Sequence, residues 1–213
     1  TIYWCKVGRP SFALAMDVLQ DMVCHSKFEA GEIEKERRVI IEELSMSMDV
    51  PQQRADILID EVVWPNQPMG RDVAGTKESV SSLSRETLVS CRDRQYVPNN
   101  AVISVAGDVS HDEVVERLSR AFGGWVPGVM GSPYAADDGQ TAPRLKVEHR
   151  ATEQVNLCLA LRGLSARHPD RFALSLLSVI LGEGMSSRLF NEIREKRSLA
   201  YDFHSYVSHF LDS

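Results

Sequence analysis

The chain has 213 residues, of which 43% are hydrophobic and 25% charged. That balance excludes a disordered or collagen-like chain, and the length suffices to bury a core without disulfide staples. A net charge of −6 with a pI near 5.5 argues against nucleic acid or an anionic membrane as the main partner, and no run of about 18 apolar residues offers a membrane span.

The chain opens on Thr1, not Met, in a strand-like run from Thr1 to Val7, and so reads as a piece of something longer. Pro10 and Ser11 launch a helix to about His25, with Leu14, Val18 and Met22 at helical spacing. A second helix is predicted from about Ala30 to Met48, and a third from Pro51 to about Trp64, the proline separating them. Pro65 to Gly70 is turn chemistry. Short helices follow near Thr76–Leu83 and Ser84–Tyr96. Ala101 to Gly107 is an apolar strand, and Ser110-His111-Asp112-Glu113 is a capping box that starts a helix to Phe122.

The stretch from Gly123 to Pro143 is rich in Gly, Pro, Ser and Asp and reads as a linker. After it, Leu145–His149 and Gln154–Leu161 are predicted strands, Asp170–Leu181 and Ser186–Lys196 helices, and Ala200–Val207 a last strand. The expected division is a first domain over residues 1–127, a linker over 128–143 and a second domain over 144–213. Cys5, Cys24, Cys91 and Cys158 form no C-x-x-C pair and read as unpaired, buried or half-buried thiols, which fits a reducing cytoplasm.

The informative helix is the second. With Ile40 at zero and 100° per residue, Ile33 and Leu44 fall within about 40° of it, so the apolar stripe is centred there. Glu36 and Glu43 fall at about −40° and −60°, with Val39 on their far side. Two carboxylates, about 10 Å apart along the axis, are thereby expected inside an apolar face. Burying a carboxylate is costly unless it meets a cation, a hydrogen-bond network or a metal. Three readings stay open on the pattern alone: a buried Glu–Arg pair, a helix edge that reaches water, or a metal or catalytic site. No H-E-x-x-H or H-x-x-E-H occurs, and His204 and His209 read as surface residues.

Glu36-Arg37-Arg38-Val39-Ile40-Ile41-Glu42-Glu43-Leu44 resembles the E-R-x-V-I-x-E-E-[IL] segment of the pitrilysin/insulinase/mitochondrial processing peptidase family, the inverted zincins. Pro68-Met69-Gly70-Arg71 with Gly75 is similar to the family's P-L-G-R-x-I-x-G, Tyr96-Val97-Pro98-Asn99-Asn100 to its Y-x-P-x-N, and Ala106-Gly107-Asp108-Val109 to its A-G-D-[VF]. Leu181–Phe190 followed by Arg194–Tyr201 resembles L-G-x-G-M-S-S-R-L-F and R-E-K-x-G-L-A-Y, with Ser198 in place of the usual Gly.

The resemblance implies a zinc metalloendopeptidase acting on extended or unfolded peptides, and an α+β fold in which mostly antiparallel sheets carry helices on one face, here as two incomplete domains. It makes Glu43 the third zinc ligand and Glu36 the acid that orients it. It makes Arg194 and Tyr201 the pair that grips the peptide backbone and stabilises the developing oxyanion. A surface salt bridge for Arg194 and a core-edge ring for Tyr201 are the plainer alternatives. The H-x-x-E-H segment, which supplies two zinc ligands and the general base in the family, is not in this sequence. An internal fragment is therefore expected: inactive by itself, with zinc absent or weakly held, and with open sheet edges that favour a homo-oligomer. A non-catalytic scaffold subunit of the same family is the alternative.

Overall fold

The computed structural model describes residues 1–137 and 139–211. Asp138 of the expected linker, and Asp212 and Ser213 at the end of the second expected domain, lie outside the described residues. In chain order these form α1 (Phe12–Cys24), α2 (Ala30–Asp49), α3 (Pro51–Val63), α4 (Lys77–Ser82), α5 (Arg85–Gln95), α6 (His111–Phe122) and α7 (Arg171–Gly182), then a π-helical turn at Phe190–Glu195. Three 3-10 turns, at Arg9–Ser11, Pro68–Gly70 and Pro98–Asn100, each carry a proline at the first or second position, where an N–H would have no partner.

Local chemistry explains the helix limits. The Thr76 hydroxyl accepts from the Ser79 N–H while the Ser79 hydroxyl accepts from the Thr76 N–H, a complete capping box for α4. Ser84 caps α5 through the Thr87 N–H, and Arg92 and Arg94 close its last turn against the negative end of the dipole. Pro51 opens α3 after an extended Val50, as a residue before proline must be.

The chain divides into two compact units. The first comprises Thr1–Met46 and Ala74–Pro133. Its buried side chains are Phe12, Leu44, Val80 and Val97. Phe12 lies beneath the guanidinium groups of Arg9 and Arg117, at 5.6 and 5.8 Å from the ring centre, and both arginines bond Glu113. Gln20 of α1 donates to the Ala121 carbonyl of α6. The Asn99 amide bonds both the N–H and the carbonyl of Gly128, clipping the segment after α6 against Val97.

The second unit comprises Ser47–Val73 and Tyr134–Ser213. Trp64 is buried and meets Phe210 edge to face at 6.3 Å. Gly182 sits against Ser205, which donates its N–H to the Gly182 carbonyl and its hydroxyl to the Ser178 carbonyl. An ion-pair chain runs along α3: Lys146 to Glu61, Arg54 to Glu148 at 2.7 Å, and Arg150 to Glu148 at 2.7 Å.

The expected α+β fold is not what forms. Among the described residues there is no β-strand and no sheet, and the regular structure is helical. The runs at 1–7, 101–107, 145–149, 154–161 and 200–207 are free of a strand ladder. The physical reason is that alternation fixes which side chains share a face, whereas a strand exists only where a neighbour's N–H and C=O groups complete the ladder. The apolar rows show the consequence, since Val155, Leu157, Leu159 and Leu161 are all more than 80% exposed. The helix expected over Ser186–Lys196 forms from residue 188 and widens into a π-helical turn over Phe190–Glu195.

Candidate functional site

Along α2 the inward positions are Leu44, which is buried, and Ile33, Ile40 and Ile41, which are half-buried. Glu36 and Glu43 are both exposed. The expected burial of the two carboxylates inside the apolar face is thus corrected: the helix-edge reading is the one that forms. The stripe is narrower than the wheel suggested, because Val39 on the far side of both glutamates is itself 48% exposed. The charged side chain that α2 does draw in is the half-buried Arg37, which bonds the carbonyls of Val80 and Leu83 and pairs with Glu34 at 3.2 Å. That arginine closes the otherwise open C-terminal end of α4.

A structural zinc needs four ligands, and a catalytic one three from protein plus a water or substrate. Among the described residues, no group of three or more His, Cys, Asp and Glu side chains is placed to hold a metal ion. The described residues therefore do not bring a zinc ligand set together.

Arg194 and Tyr201, by contrast, come together. The Arg194 guanidinium carbon stands 4.5 Å from the centre of the Tyr201 ring and 4.9 Å from that of Phe190. A cation over an aromatic face is attracted to the ring quadrupole, and two rings hold the guanidinium plane from either contact. Its ion pair with Glu195, at 3.9 Å from Nε, is too long for a hydrogen bond. The tyrosine is 83% exposed, so its hydroxyl reaches solvent. This arrangement presents a fixed fork of donors beside a hydroxyl, suited to the carbonyl oxygens of an extended chain. Phe190 has no role in the sequence reading, although its spacing of four residues before Arg194 is the signal that would have found it.

The second unit also holds an acidic patch that the sequence reading missed. Asp56 and Asp60 lie four apart on α3, and Cys158 Sγ is 3.6 Å from an Asp56 carboxylate oxygen. Burial pushes the Asp60 carboxyl up, with Asp56 and Asp72 adding to the effect. Burial and then Asp56 push the Cys158 thiol up, so it is held as the weakly nucleophilic thiol. All four cysteines are free, as expected, but Cys5 and Cys91 are exposed where burial or half-burial is predicted.

Residues 1–77 match the family model described as Insulinase (Peptidase family M16), and residues 82–213 match the one described as Peptidase M16 inactive domain. The chain belongs to peptidase family M16. An uncharacterized zinc protease of Mycobacterium leprae is 37% identical over the whole chain and 48% of its own length, and YmxG of Bacillus subtilis, also named an uncharacterized zinc protease, is 34% identical over the whole chain and 51% of its length. The chain thus spans about half the length of these curated relatives. Among solved structures, a protease from Helicobacter pylori aligns with a TM-score of 0.79 at 19% identity, over 97% of this chain and 51% of that one. A peptidase M16 inactive domain from Pseudomonas fluorescens aligns with a TM-score of 0.71 at 18% identity, over 92% and 48%. At these identities the likeness is one of fold alone.

Proposed function

We propose that this chain supplies a peptide-gripping surface to a zinc-dependent endopeptidase that cleaves extended or unfolded peptides. The observation that carries this is the Arg194 guanidinium stacked 4.5 Å over the exposed Tyr201 ring. Arg194 donates to substrate carbonyls and stabilises negative charge that develops on one of them, and the Tyr201 hydroxyl adds a donor beside it. Glu43 on α2 is one carboxylate ligand at most, with Glu36 orienting it, so the 213-residue chain by itself binds zinc weakly or not at all and is inactive alone. Exposed apolar rows such as Val155 to Leu161 support self-association, which light scattering of the purified chain tests: a strict monomer contradicts it.

The main test is affinity of the chain for a fluorescent, unstructured peptide. Arg194→Ala should weaken binding about tenfold, the value of one charge-assisted hydrogen bond. Equal affinity for wild type and variant sinks the gripping role, and stoichiometric zinc with peptide cleavage by this chain alone sinks the dependence on further ligands. A non-catalytic scaffold subunit is the second reading, supported by the description of the model matched by residues 82–213 as an inactive domain. It expects no measurable peptide affinity in either form.

A further inference from the structure

We propose that Ser198 is a positioning residue that sets the Arg194–Tyr201 pair through its backbone. Ser198 has φ of +51°, in the left-handed region where a side chain is disfavoured and glycine is the ordinary occupant. It lies beyond the π-helical turn Phe190–Glu195, between the two members of the pair. The turn is closed by three backbone bonds of unequal reach. Lys196 N–H donates to the Asn191 carbonyl at 3.0 Å, Ser198 N–H to the Arg194 carbonyl at 3.1 Å, and Leu199 N–H to the Ile193 carbonyl at 3.0 Å. The bond from Leu199 encloses Ser198 in the manner of a helix C-terminal motif, in which a left-handed residue lets the following N–H turn back onto the last helical carbonyls.

Had the helix continued, Arg194 and Tyr201 would lie about 10 Å apart along its axis. The left-handed step at Ser198 instead reverses the chain, and the Tyr201 ring returns to 4.5 Å from the Arg194 guanidinium. Phe190, which contacts the same guanidinium at 4.9 Å from within the helical turn, does not depend on that reversal. Ser198 therefore governs one ring of the two. Its functional weight rests on the peptide-gripping role proposed above, whereas its effect on the pair can be read without any peptide.

The experiment is NMR of the full chain with labelled arginine. The side-chain protons of Arg194, identified by their loss in Arg194→Lys, are displaced upfield by the two rings. Tyr201→Leu sets the displacement that Phe190 alone produces. Ser198→Val, whose branched Cβ resists positive φ, should reduce the displacement to the Tyr201→Leu value, with the other arginine signals and the helical content unchanged. Ser198→Gly should keep the wild-type displacement. Should the valine variant not fold, Ser198→Thr replaces it with the same two readings. A wild-type displacement in the β-branched variant, or its loss in Ser198→Gly, overturns the proposal. Because no peptide enters, failure here leaves the gripping role standing, and unchanged peptide affinity in Arg194→Ala leaves the positioning of the pair standing.

Discussion

Gly182 at the end of α7 has no space for a methyl group. A Cβ there would lie 2.6 Å from Ser205 Oγ, 2.7 Å from the Ser205 nitrogen and 2.9 Å from a Phe203 ring carbon. The backbone nitrogen cannot swing aside as a side chain could, and the Ser205 hydroxyl is already committed to the Ser178 carbonyl at 2.8 Å. Gly182→Ala should therefore destabilise the chain by about 1–3 kcal/mol, the usual cost of overpacking, measured as a lowered urea midpoint. An unchanged midpoint would show that this packing is not rigid. At the same scale, the sequence marked Arg194 and Tyr201 by their motif, and the structure brought them into contact. It marked Glu36 and Glu43 by their place on a helical wheel, and the structure left both in water. The wheel gives angle but not the distance to the next element, so it cannot separate a buried position from a helix edge.

Among the elements, α6 shows how far local rules reach. Its start was legible because Ser110 accepts from the Glu113 N–H at 3.2 Å, a bond between residues three apart that needs no tertiary partner. The reciprocal half of the expected capping box does not form. The Glu113 carboxylate turns instead to Arg9, and to Arg117 Nε at 3.1 Å, and these cations hold it below the usual carboxylate range, Arg9 first. Arg9 lies more than a hundred residues away in the chain, beyond any local rule. Ser110→Ala should cost about 1 kcal/mol in a denaturation curve, and Ser110→Asp should recover it, since aspartate both caps and complements the dipole. Equal losses for both variants would assign the effect to packing rather than to the cap. Thr76 and Ser84 start α4 and α5 in the same way and Pro51 opens α3, whereas α1 and α7 begin without a side-chain cap bond. The π-helical widening over Phe190–Glu195 was not legible, because an extra residue per turn leaves no mark in the spacing of side chains along the chain.

On the scale of the whole molecule, charge couples distant segments within each unit. In the second unit the Arg54 guanidinium, and then Arg150, hold the Glu148 carboxyl at about 2 against an ordinary 4.5. A depressed acid contributes stability that is complete above its unfolded value and is lost as pH falls through its folded one. The contribution of Glu148 should fade between about pH 4.5 and 2, and Glu148→Gln should flatten that part of the acid unfolding curve. A wild-type slope in the variant would place the acid sensitivity elsewhere. The pairing joins α3 to residue 148 across 94 positions of sequence and carries no sequence signature of its own. The amino-acid order by itself determined the family, through motifs set by residue identity, and the starts of α3 to α6, through caps and prolines that act within one turn. The tertiary structure alone decided that the alternating runs stay unpaired, that the α2 carboxylates face solvent and that Arg194 meets two rings. Each of these depends on a second segment arriving at a given distance, and spacing along one chain cannot encode that distance.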